Sequence, residues 1–241
     1  HFFNNRLHRL PSYLYLWAAL LGLVGLCAFT SPQPVQAEGP DLQPQGIACP
    51  PVPLRLYLPL ITQQGAATTS TPTIAVQSEQ DFIASVSDGQ TGVLRGVYAQ
   101  DALALRVDQQ PAGNGNYVTM QPGWATQYAA PARFGVTGLL AHNTLAGKSF
   151  YSLAAGDVVT LVNGDGAVRR YLVKQAYRFQ TLASNEGYLD LATQEVLSTS
   201  QLFLKMYTGE EHVTFQTCLE EAGNPSWGRF FLIAVPVAET A

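Results

Sequence analysis

From Ile74 onward the chain alternates short apolar runs with turn residues, and helical periodicity is weak. The runs at 93–98, 102–107, 136–141, 158–162, 170–179, 212–218 and 230–237 have the length and β-branched or aromatic content of strands. Turn signals separate them: Asp88-Gly89, Gly113-Asn114-Gly115-Asn116, Ala155-Gly156-Asp157 and Asn163-Gly164-Asp165-Gly166. The last of these, between 158–162 and 170–179, predicts a hairpin. Residues 123–130 are expected to form a short helix, and 150–153 a single helical turn. The pattern is all-β, and short strands of this spacing suit a barrel better than a sandwich.

Ahead of this region the pattern changes twice. Arg6, His8 and Arg9 precede an uncharged apolar run at 13–30, and Val35-Gln36-Ala37 offers small residues where a signal peptidase could cut. Residues 1–37 therefore read as a signal peptide or a membrane anchor, since a span takes about 20 apolar residues. Either one exports the remainder of the chain, to the outer face of the cytoplasmic membrane or the cell surface. Residues 38–73 are rich in Pro, Gln and Thr and read as a linker, interrupted by an apolar patch at 54–61. The folded domain is placed at 74–238.

Composition narrows the class. Charged residues make up 12% of the 241 positions and the net charge is −4, with no basic stripe of the kind that nucleic acid requires. With 21 Gly and 15 Pro the chain favours turns over helical bundles. Of its 3 Cys, Cys27 lies in the apolar run and Cys49 in the linker. Only Cys218 lies in the domain, so no disulfide framework is expected.

Cys218 ends a strand-like run, Thr214-Phe215-Gln216-Thr217-Cys218. Arg229 stands just before the next run, and His142 ends an earlier one. A thiol, an imidazole and a guanidinium are what attack on a peptide carbonyl needs: nucleophile, proton carrier and oxyanion partner. Of the histidines near enough to consider, His212 shares parity with Cys218. A regular strand from 212 to 218, however, spans about 20 Å at roughly 3.3 Å per residue. His142 remains, and only tertiary pairing can bring it close. Taken singly, each residue has a plainer reading as a core thiol, a capped histidine or a solvated arginine.

Together these segments resemble the sortase family, the cysteine transpeptidases of bacterial cell surfaces. The matching segments are Leu140-Ala141-His142-Asn143, then Phe150-Tyr151-Ser152-Leu153 through Gly156-Asp157, Thr214 through Cys218, and Gly228-Arg229-Phe230-Phe231, in the family's order. Phe215 replaces the usual Leu, and 197–211 matches no known recognition loop. The resemblance is nearer to the smaller, non-housekeeping groups. It implies an eight-stranded β-barrel with one or two short helices, catalytic His142, Cys218 and Arg229, and Thr217 as the residue that helps hold substrate or oxyanion. It also implies a thioacyl intermediate. The substrates would be exported proteins with a C-terminal sorting signal, and the acceptor an amine from a cell-wall precursor or a pilin. No cofactor is implied as required; Glu220 and Glu221 are the only pointer to calcium, and paired glutamates are ordinarily solvated surface. The competing reading is a catalytically silent sortase-like module that serves binding or structure. Ser-His-Gly does not precede the cysteine as in an L,D-transpeptidase, and the Cys-before-His order of papain-like enzymes is reversed.

Overall fold

The computed structural model describes residues 78–183 and 187–238. The expected signal or anchor, the linker, the 54–61 patch, Cys27 and Cys49 lie outside the described residues. In chain order the elements are α1 (Glu79–Val86), β1 (Leu94–Ala99), β2 (Leu103–Gln109), β3 (Trp124–Tyr128), β4 (Thr137–Leu140), β5 (Val158–Asn163), β6 (Val168–Thr181), β7 (Tyr188–Asp190), β8 (Val196–Leu197), α2 (Thr199–Tyr207), β9 (Val213–Glu221) and β10 (Asn224–Pro236). Short 3-10 turns occupy Ala130–Phe134 and Ala146–Ser152. Among the described residues no helix is long and apolar enough to cross a membrane.

The strands hydrogen-bond in the order β10-β9-β4-β3-β2-β1-β5-β6, and β6 pairs back onto β10. This closes the expected eight-stranded barrel, which leaves none of those strands with an open edge. β7 and β8 extend outward from β6 as a small flap. The predicted hairpin is β5–β6, with Val162 paired to Val168 across the turn. The 150–153 turn falls inside the 3-10 turn Ala146–Ser152.

Two elements differ from the sequence reading. Residues 124–128, expected as helix, form β3, because the ladder parallel to β2 and antiparallel to β4 satisfies their backbone groups. The stretch 197–211, which matches no known loop, contains α2. Ser198 caps it by accepting from the Gln201 N–H, while the Gln201 side chain accepts from the Ser198 N–H, a reciprocal cap that starts a helix.

Alternation along each strand builds two apolar layers. The barrel interior takes Val97, Leu105, Ala125, Leu139, Val159, Tyr171, Phe215 and Phe230 from the eight strands in turn. Outside, α2 and the β7–β8 flap bury Tyr128, Leu140, Phe179, Tyr188, Phe203, Met206, Tyr207 and Phe231 against the barrel wall. Tyr207 closes this layer with a hydrogen bond from its hydroxyl to Gln216 Oε1.

Candidate active site

β4 and β9 run parallel in register, Thr137 beside Val213 and Leu140 beside Gln216, and the Ala141 N–H donates to Gln216 O at 3.2 Å. His142 and Cys218 each follow two residues after the last pair of this ladder, Leu140 beside Gln216. β9 and β10 run antiparallel, with Arg229 the direct partner of Cys218. The barrel therefore gathers at one end three residues that lie far apart in sequence.

Parity settles the face. Leu139, Phe215 and Phe230 point into the barrel, and Leu140 and Phe231 point into the outer layer. His142, Cys218 and Arg229 share the parity of the outward residues, so all three stand on the outer face at the end of the α2 layer. They are also deeply shielded, with relative exposures of 7%, 3% and 6%.

Burial shifts the titration of His142 and of Arg229. Burial pushes the His142 pKa below its ordinary value, and a hydrogen bond with the Val118 backbone opposes that shift. Its Nε2 is buried without a hydrogen-bond partner, so it is positioned to exchange a proton with whatever occupies the site. Burial also lowers the Arg229 pKa, with Tyr188 opposing, and a guanidinium remains charged through such a shift. Arg229 Nη1 donates to Gly228 O at 2.9 Å and to Ser226 O at 3.4 Å.

The sulfur of Cys218 is not a free thiol: Cys218 is disulfide-bonded. No disulfide framework is expected from the sequence, and a bond at Cys218 lies outside that reading.

Thr217 lies on the opposite side of β9 from Cys218. Its hydroxyl donates to Ala141 O at 2.8 Å, tying β9 to the residue before His142. Gly147 makes this approach possible, since a Cβ there would lie 2.2 Å from Thr217 Oγ1 and 2.8 Å from His142 O. Two further contacts are invisible in the sequence. Asn143 Nδ2 donates to Pro225 O at 3.0 Å, pinning the histidine loop to the start of β10. The Tyr151 hydroxyl donates to the carbonyl of Cys218. Both reach main-chain carbonyls, and such contacts leave no spacing signature in a sequence.

His212 immediately precedes β9, at the end away from Cys218, with Nδ1 2.7 Å from Glu210 O and Nε2 3.1 Å from Met206 O. His212→Ala is expected to leave turnover within about twofold of wild type while costing about 1–3 kcal/mol of stability, through lost and unpaired hydrogen bonds. Urea unfolding beside a peptide-cleavage assay checks both halves, and a large loss of turnover would restore His212 as a candidate base. Glu220 and Glu221 end β9, and among the described residues no group of three or more His, Cys, Asp or Glu side chains gathers as a metal site would require.

No protein-family model matches the chain, and no curated protein matches it. The solved structures similar to it are sortases. Sortase A from Listeria monocytogenes is 14% identical at a TM-score of 0.38, over 61% of this chain and 88% of that one. Sortase A from Corynebacterium diphtheriae is 13% identical at 0.40, over 61% and 62%. A sortase D5 transpeptidase from Clostridium perfringens is 12% identical at 0.37, over 67% and 89%. At these values the likeness concerns the fold alone and adds no weight to an assignment of activity.

Proposed function

We propose that the chain is a cysteine transpeptidase of the sortase type, acting at the cell surface. The observation that supports this reading is that Arg229 is the direct β10 partner of Cys218, while β4, which ends two residues before His142, pairs with β9 up to Gln216, two residues before Cys218. In this reading the Cys218 thiol loses its proton to His142 and its sulfur adds to the carbonyl of a sorting peptide. Arg229 holds the resulting oxyanion. The carbon–nitrogen bond then breaks, and imidazolium His142 protonates the departing amine. A thioester remains. An incoming amine gives its proton to His142 and attacks that thioester, and the sulfur leaves and takes the proton back. Thr217 supports the site by holding β9 against the His142 segment. The residues need no metal for these steps. The N-terminal apolar segment would deliver or anchor the domain outside the membrane, where exported proteins bearing a sorting signal and amine acceptors meet it.

The experiment is a peptide-library cleavage screen on the reduced protein, with and without cell-wall-type amines. Cleavage that shifts to amide products when amine is added supports the reading, and an inert protein overturns it.

One observation favours the second reading, a catalytically silent module: a sulfur held in a disulfide attacks nothing. The two readings differ in a direct measurement. Without reductant, Cys218 is expected to resist iodoacetamide. After reduction, an enzyme thiol is expected to alkylate faster at neutral pH than glutathione does, because a neighbouring guanidinium favours the thiolate. A reduced Cys218 that reacts no faster than glutathione supports the silent module.

A further inference from the structure

Carbonyl directions alternate along a strand, so the carbonyls of Gln216 and Cys218 point to the same side of β9. The Gln216 carbonyl is taken by the Ala141 N–H of the β4 segment. The pairing of β4 with β9 ends at Leu140 beside Gln216. There the chain turns, and the N–H groups of Leu145 and Gly147 both donate to His142 O at 2.9 Å. This turn presents the imidazole, and it ends the ladder one rung short of the nucleophile. The Cys218 carbonyl lies past the last paired residues of β4 and β9.

Tyr151 reaches that carbonyl. It comes from the 3-10 turn Ala146–Ser152, just after the histidine loop, and its hydroxyl donates to Cys218 O. Its ring stands edge-on to Phe230, centroids 5.0 Å apart at 68°, and Phe230 is the residue after Arg229 in β10. One side chain thus touches the peptide of the nucleophile and packs on the neighbour of the guanidinium.

We infer that Tyr151 is a positioning residue of the acyl-transfer site: its hydroxyl, donating to Cys218 O beyond the last β4–β9 pair, helps fix the Cys218 peptide plane, and with it the direction of the sulfur toward the face shared with His142 and Arg229. The inference rests on the transpeptidase reading. Without the hydroxyl the plane keeps only its β10 side of the ladder, and the sulfur samples positions away from its activating neighbours.

The test is alkylation of Cys218 by iodoacetamide in the reduced full chain, with peptide mapping from pH 5 to 9, in wild type and Tyr151→Phe. Phenylalanine keeps the ring against Phe230 and removes only the hydroxyl. The charged and titratable groups around Cys218 and Tyr151 are His142 at the end of β4, Arg229 on β10, Tyr188 on β7, Arg178 on β6 and Glu220 on β9, and the substitution changes none of them. Tyr151→Phe is expected to alkylate about fivefold more slowly at neutral pH, the size of one net hydrogen bond, with the midpoint of its pH profile moved upward. Its melting temperature is expected to stay within about 4 °C of wild type. A purely packing role for Tyr151 moves neither rate nor midpoint, so a variant identical to a fast-reacting wild type overturns the inference and leaves the transpeptidase reading standing. A wild type no faster than glutathione overturns both.

Discussion

Cys218→Ala is expected to abolish transfer from any sorting peptide the wild type cleaves, a loss of about 10⁴-fold or more, the scale seen when a covalent nucleophile is removed. No neighbour substitutes for it. The nearest hydroxyl in sequence, on Thr217, is committed to Ala141 O on the other side of the strand. Gln216, on the same face, is held by Tyr207. The fold tolerates the change, since alanine occupies less space at a buried wall position and the strand pairing with Arg229 needs only the backbone. The comparison belongs in reductant. In oxidised protein the substitution also removes a disulfide, which typically contributes about 2–4 kcal/mol, and a loss of fold would then imitate a loss of chemistry. Intact mass spectrometry during turnover adds a second readout: wild type accumulates a thioester with the acyl half of the peptide and the variant does not. Cleavage by Cys218→Ala at the wild-type rate would remove the sulfur from the mechanism.

The barrel is legible in the sequence because its strands repeat one signal, short β-branched or aromatic runs closed by glycine-bearing turns. The runs at 93–98, 158–162, 170–179 and 230–237 fall on β1, β5, β6 and β10. β3 reads as helix because five residues beginning Trp124-Ala125 carry too little alternation to outweigh a helical pattern, and the partner strands β2 and β4 decide the matter. For α2 a local signal exists, Ser198 three residues before Gln201 at the head of an amphipathic turn. The meeting of positions 142, 218 and 229 is an expectation from chemistry that becomes a geometry only through two registers, one parallel and one antiparallel. Those registers depend on which strands are neighbours, and no single strand encodes that. The disulfide at Cys218 is likewise beyond a sequence reading: cysteine count and spacing show which bonds are possible, and folding determines which forms.

His142→Ala is expected to lower turnover about 10³-fold, within the usual range for a positioned proton carrier, and to change how stability depends on pH. The second effect comes from burial. The imidazole is shielded inside the outer wall with Nε2 unpartnered, and desolvation holds its pKa below the ordinary histidine value. The unfolded chain, with the group near 6.5, therefore binds the proton more readily than the folded protein does. Stability rises with pH wherever the unfolded state holds more protons. In wild type, the contribution of this group is fully present above about pH 6.5 and is lost as pH falls from there through the folded value. Alanine has nothing to protonate, so the variant loses less stability across that window. Urea midpoints at several values between pH 8 and 5 measure the difference, and His212 and the carboxylates, common to both proteins, cancel in it. Equal acid slopes in the two proteins would mean that His142 protonates as easily folded as unfolded, and a group so exposed to solvent would not be the shielded proton carrier that acyl transfer needs at this position.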